Sequence, residues 1–181
     1  VMQDENGDGE PNDTWYELRG SESNAETTIN DYSVTYYRPT AAGQSVRWSD
    51  SEGKEGEIDY LGNFHPQDYY YPQWITTDSY TLSGTRLEAR NYDLSGNGTM
   101  WIQPAYDWGY ADNFSSVDHT LEGGNMNLID IANAKTGAGE DAELEYIDFV
   151  KIQTAVNTKS GWLGENSTEV TGIYDYRLMR R

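Results

Sequence analysis

The sequence predicts an all-β protein of the antiparallel sandwich or barrel class, on three observations. Helical periodicity is almost absent along the 181 residues. Short runs rich in Tyr, Val, Ile, Thr and Trp alternate with clusters of Gly, Asn, Asp and Ser, the pattern of strands joined by turns. Fifteen Tyr and six Trp stand beside only three Phe. The aromatic content is therefore mostly of the kind that suits strands and half-wet surfaces, including sugar-binding and protein-binding faces.

Taken in order, the strands are expected at residues 14–19, 32–38, 45–49, 57–61, 79–89, 100–103, 146–155 and 169–178. In the second, Tyr32, Val34 and Tyr36 alternate with Ser33 and Thr35, as one buried face requires. The run 146–155 differs, because Ile147, Phe149, Val150 and Ile152 put apolar groups on both faces; it is the expected central strand. A short helical turn is expected within 127–134. Long turn-rich connections remain at 62–74, 91–98, 104–122 and 157–167, and loops of that length are usually functional or pinned by a metal. No internal repeat or low-complexity tract divides the chain, so residues 1–181 are expected to form a single β-sandwich domain. The apolar opening Val1-Met2-Gln3 leads straight into an acidic loop and resembles the end of a strand, so further N-terminal strands are expected upstream.

Composition narrows the function. Twelve Lys and Arg against 31 Asp and Glu give a net charge of −19, which repels a phosphate backbone and argues against nucleic acid or an anionic membrane as partner. There is no cysteine, so disulfides, thiolate metal sites and a cysteine nucleophile are excluded. No apolar run reaches the ~20 residues of a transmembrane helix.

The strongest chemical signal is the stretch 4–13. Asp4, Asn6 and Asp8 place side-chain oxygens at positions 1, 3 and 5 of a calcium loop, Gly9 supplies the turn at position 6, and the Glu10 carbonyl is the next ligand. Position 12 is Trp15 rather than Glu, and no helix flanks the loop, so Asp13 is the expected closing carboxylate with Glu17 in reserve. The competing reading is a solvated acidic turn, since Asn-Gly and Asp-Gly are ordinary turn dipeptides. A weaker echo, Asp93, Ser95, Asn97 and Gly98, repeats the spacing with a single full charge and favours a Gly-rich turn.

Candidate ligand contacts fall in two aromatic patches. Tyr106, Asp107, Trp108, Tyr110, Asp112 and Asn113 interleave rings with groups that bond hydroxyls. Tyr69, Tyr70, Tyr71 and Trp74 form the second patch, from which Tyr70 and Trp74 are the chosen contacts, and Trp162 is a third platform. The alternative is that Gly109 lets Trp108 and Tyr110 fold inward as loop anchors.

An enzyme is not expected. His65 and His119 lack a nucleophile elbow, and no H-E-x-x-H or phosphate loop occurs. A glycosidase would need two carboxylates, but Asp107, Asp112, Glu165 and Glu169 are all conceivable and none is singled out.

Several stretches carry a resemblance: 1–7, Asp13-Thr-Trp-Tyr-Glu-Leu18, 106–113, 146–157, Gly161-Trp-Leu-Gly-Glu165 and Ser167-Thr-Glu-Val170. Together they resemble a family of Bacteroidetes cell-surface proteins and lipoproteins, usually described only as cell-surface or PKD-containing proteins. The resemblance spans nearly the whole chain. It implies an exported β-sandwich, a jelly roll, at the cell surface or in the periplasm. It also implies capture of a glycan, a corrinoid or another nutrient; no catalytic residues come with it. The expectation is a calcium-stabilised binding or adhesion module with a glycan or small nutrient as ligand and other cell-surface proteins as further partners. Alternatives are a structural subunit of a surface assembly and a glycan-active hydrolase.

Overall fold

The computed structural model describes residues 1–113, 115, 126–162, 164, 166 and 168–179, so His119 and Glu165 lie outside the described residues. The chain is all-β and its sheets are antiparallel. Among the described residues, helix is confined to a 3₁₀ turn at Ile131–Asn133 and one α-turn at Tyr176–Met179 (α1). None is long and apolar enough to cross a membrane. Among the described residues the strands are β1 (Glu17–Leu18), β2 (Ile29–Tyr37), β3 (Val46–Asp50), β4 (Glu55–Ile58), β5 (Ser79–Arg86), β6 (Tyr92–Asp93), β7 (Trp101–Ile102) and β8 (Ala134–Lys135).

The chain forms two compact units, one of Val1–Glu22, Ala105–Thr154 and Ser167–Arg181, the other of Ser23–Pro104 and Ala155–Asn166. The second holds a four-stranded sheet in the order β4-β3-β2-β5. Three consecutive strands pair in turn and the fourth returns beside the first, which is the Greek-key order. Alternation drives β2: Tyr32 and Val34 are buried while Ser33 and Thr35 on the other face stay partly exposed, as period-2 patterning dictates.

Trp48 of β3 lies across Gly56 of β4, its register partner; a Cβ on Gly56 would come within 2.5 Å of the indole. The β3–β4 hairpin is closed by Asp50, whose carboxylate accepts the N–H groups of Glu52 (3.0 Å) and Lys54 (2.8 Å). Burial pushes the Asp50 carboxyl up, but these N–H groups and the Tyr32 hydroxyl outweigh it and hold it below the usual range.

The connection from β4 to β5 is anchored from within. Tyr71 is buried, donates its hydroxyl to the Thr77 carbonyl at 3.0 Å, and meets Tyr80 edge-on with ring centres 5.2 Å apart. The Arg38 guanidinium sits 4.5 Å over the Tyr71 ring and donates to the carbonyls of Ile75 and Thr77. Each backbone carbonyl in this long connection that Arg38 or Tyr71 satisfies is one that no ladder could reach.

In the first unit, β1 pairs with β8, and Val1, Ala134 and Ala142 form a small core flanked by Tyr16, Leu18, Leu144 and Ile147. Met2 is fully buried and bridges to Phe149.

Two expected strands are corrected. Residues 146–155 are not a strand: only Phe149 forms a bridge, and Val150 and Ile152 are 39% and 40% exposed. The segment finds different partners along its length. Met2 takes the N–H groups of Asp148 and Phe149, and Ala155 takes that of Leu87, so no single neighbour runs alongside to make a ladder. Residues 169–178 are not a strand either. Asp175 accepts the Arg177 N–H at 2.9 Å on its side chain and the Leu178 N–H at 3.0 Å on its carbonyl, which starts a helical turn and overrides the β-branched composition. The expected helical turn within 127–134 is present as the 3₁₀ turn, capped by Asp130 through the Ala132 N–H.

Candidate functional site

The stretch 4–13 folds as a tight curl held by its own side chains. Asp4 is the hub: Oδ1 accepts the N–H groups of Gly7 (2.8 Å) and Asp8 (3.2 Å), and Oδ2 accepts that of Gly9 (2.8 Å). Asn6 accepts the Asp8 N–H at 2.9 Å. Asp8 accepts the Glu10 N–H at 2.8 Å and the Asn12 side-chain amide at 3.0 Å. Those two contacts, the Asn12 amide first, hold the Asp8 carboxyl below the usual range. Asp13 closes the curl by accepting the Glu5 N–H at 3.0 Å. Gly7 and Gly9 have φ of +73° and +77°, so the curl needs glycine at both places.

These are the residues singled out in the sequence, and the curl brings Asp4, Asn6 and Asp8 together. The Glu10 carbonyl is engaged by the Asn12 N–H at 2.8 Å, and its side chain is exposed. Two supporting residues were missed. Asn12 bridges Asp8 and Asn6, the latter at 3.2 Å, and was legible only as another polar residue in the loop. Asp148 accepts the Asp4 N–H at 2.8 Å from 144 residues away, a separation no local pattern could bridge.

The weaker echo has the same backbone plan. Asp93 accepts the Ser95 N–H at 3.0 Å and the Gly98 N–H at 2.6 Å, matching Asp4 and Gly9. Gly96 and Gly98 have φ of +68° and +84°, as Gly7 and Gly9 do at the corresponding places. The Ser95 hydroxyl, ahead of the Gly98 N–H, holds Asp93 below the usual carboxylate range. β6 and β7 flank this loop and form its hairpin.

Among the described residues, no group of three His, Asp or Glu side chains stands ready to hold a metal ion. In the curl at 4–13 the oxygens are instead a mixed set of carboxylate, amide and carbonyl groups. That is the donor chemistry hard cations take, with loop carbonyls and amides completing the shell. The set therefore fits calcium in kind, with Asp4, Asn6, Asp8, Glu10 and Asp13 as the residues that would hold it.

The aromatic loop at 106–113 is anchored as well as exposed. Gly109 is buried against Gly20: a Cβ on Gly109 would lie 2.6 Å from the Gly20 Cα, and one on Gly20 would lie 2.5 Å from the Tyr110 ring. The Trp108 carbonyl accepts the Ser21 N–H at 3.0 Å, and the Tyr110 hydroxyl accepts the Glu22 N–H at 2.9 Å. Asn113 is buried, with its amide bonded to the backbone of Tyr106 in both directions, at 2.8 and 3.1 Å. Asp112, at φ +54°, accepts the Glu169 N–H at 3.1 Å. Tyr106 packs on Tyr110 with ring centres 5.2 Å apart. Asp107, Trp108 and Asp112 are the exposed members.

In the other unit, Tyr70 also anchors its loop, accepting the Leu61 N–H at 3.1 Å and donating to the His65 carbonyl at 3.0 Å. Trp74, three residues past buried Tyr71, is 82% exposed at the tip of a turn closed by the Ile75 N–H on the Pro72 carbonyl.

No protein-family model matches the chain, and no curated protein matches it.

Proposed function

We propose that this chain is an extracellular, non-catalytic, calcium-stabilised binding module of the bacterial cell surface, with a glycan or another captured nutrient as its ligand. The observation that carries the reading is the Asp4 carboxylate gathering three N–H groups while Asn6 and Asp8 turn oxygens into the same curl. Three aspartates within ten residues repel one another, and a divalent cation would offset that repulsion and rigidify the loop. The inferred sandwich is of the jelly-roll kind, supported by the Greek-key order of β2 to β5, since a jelly roll is two such motifs. Trp108 and Trp74, held outward on anchored turns, are the members of the two aromatic patches best placed to meet a ligand with little ordering cost.

The test is a thermal melt in excess chelator and again with calcium restored. At calcium a hundred-fold above Kd the stabilisation is about 2.7 kcal/mol, or roughly 5–10 °C for a chain of this size. Superimposable melts would overturn the calcium reading.

A further inference from the structure

We infer that Phe64 and Trp162 form a subsite for a neutral pyranose ring. The inference rests on the reading of the chain as a binding module and locates a sugar contact outside the two aromatic patches. Both side chains belong to the same unit. Phe64 is 49% and Trp162 57% exposed, yet their ring centres are only 4.6 Å apart with planes inclined at 59°. Two exposed rings meeting at that angle make an apolar corner in place of a flat patch. The C–H face of a sugar packs on such a surface while its hydroxyls remain free to bond outward.

The corner is built on pinned turns. Gly161, at φ +56°, leaves no room for a Cβ, which would fall 2.7 Å from the Trp101 indole nitrogen and 2.9 Å from the Gly98 carbonyl. Gly164, at φ +67°, rests against Leu61, and the Leu61 carbonyl accepts the N–H groups of Phe64 (2.8 Å) and His65 (2.9 Å). Trp162 therefore stands on β7 and the loop before it, and Phe64 on a closed turn.

Ser160, just before Gly161, and Gln103, just after β7, carry hydroxyl and amide groups of the kind that bond sugar hydroxyls. Gln103 donates to Asn166 Oδ1 at 2.9 Å and to the Ser160 hydroxyl at 3.2 Å. A net charge of −19 selects a neutral glycan over an acidic one.

The experiment follows the six tryptophan indole N–H signals of the calcium-loaded chain by heteronuclear NMR. The probes are maltohexaose, cellohexaose, xylohexaose and mannohexaose, and Trp162→Phe assigns the signal. The expected result is a saturable shift of the Trp162 signal with at least one of them. Phe64→Ala should weaken that binding about ten-fold. Phe64 is at the surface, and an unchanged melt establishes that the variant folds. A shift confined to the Trp74 or Trp108 signals, with Trp162 silent, would overturn this subsite and leave the glycan reading standing. No response from any probe would overturn it too, and the calcium melt then decides the wider reading separately. Loss of the Trp162 signal with rising protein concentration and no sugar present would instead assign the corner to self-association.

Discussion

Single side chains decide much of this structure where polar groups meet inside it. Tyr32 is buried in β2, donates its hydroxyl to Asp50 at 3.0 Å, and lies under the Arg86 guanidinium at 4.9 Å. Burial, followed by the Asp50 hydrogen bond and charge, raises its phenol from 10.0 to about 12. A raised pKa means the stabilising contribution is whole below the unfolded value and fades as pH climbs from 10.0 through about 12. Tyr32→Phe should cost about 1 kcal/mol at neutral pH. Urea titrations across that alkaline window should then show a shallower loss of stability than in the parent chain. Gly109→Ala is expected to be more damaging. The new methyl meets the backbone of Gly20 at a φ of +91°, where neither atom can give way cheaply. A loss of about 2 kcal/mol or more is expected, read by the same titration.

At the scale of elements, the two glycine curls make a controlled comparison. They share the spacing, the position-1 carboxylate bonded to the position-6 N–H and the paired positive-φ glycines, and differ in charge. Affinity for a hard cation follows ligand charge, so Asp4→Ala should abolish the calcium-dependent rise in Tm, whereas Asp93→Ala should leave most of it. Scanning calorimetry of the two variants with and without calcium checks this.

Legibility followed the range of the forces. The Tyr32, Val34 and Tyr36 alternation and the spacing of Asp4, Asn6, Asp8 and Gly9 are local, and both were readable in the sequence. The 146–155 run was misjudged because apolar residues on both faces signal a central strand only if two neighbours flank it, and here none runs alongside. The Asp148 contact to the acidic curl is non-local and left no trace in spacing. Tyr70, Tyr110 and Asn113 were legible as polar-tipped or amide groups in loops. What they bond became visible only with their backbone partners in place.

Over the whole molecule, charge is the dominant long-range term. At −19 the folded chain repels itself, and the interaction is screened over about 8 Å at 0.15 M ionic strength. In chelator, sodium chloride should therefore raise Tm by a few degrees in a graded way. A specific calcium site predicts a further rise at micromolar to millimolar calcium that persists in that salt. Differential scanning fluorimetry over a salt and calcium grid separates the two; a calcium effect that vanishes in salt would mean screening alone.

The return of β5 to the side of β2 also has a consequence in time. β2, β3 and β4 are neighbours in the chain and can zip together soon after collapse. The Thr35–Thr81 contact, by contrast, joins residues 46 apart and must wait for the long connection to close. Until it does, one side of β2 is an unclaimed row of N–H and C=O groups, able to pair with the same strand of another copy. In the folded chain Tyr71, beneath Arg38 and against Tyr80, ties that connection to the end of β2 and to β5. Slower closure of this one connection lengthens the time a newly made chain exposes that edge to clumping.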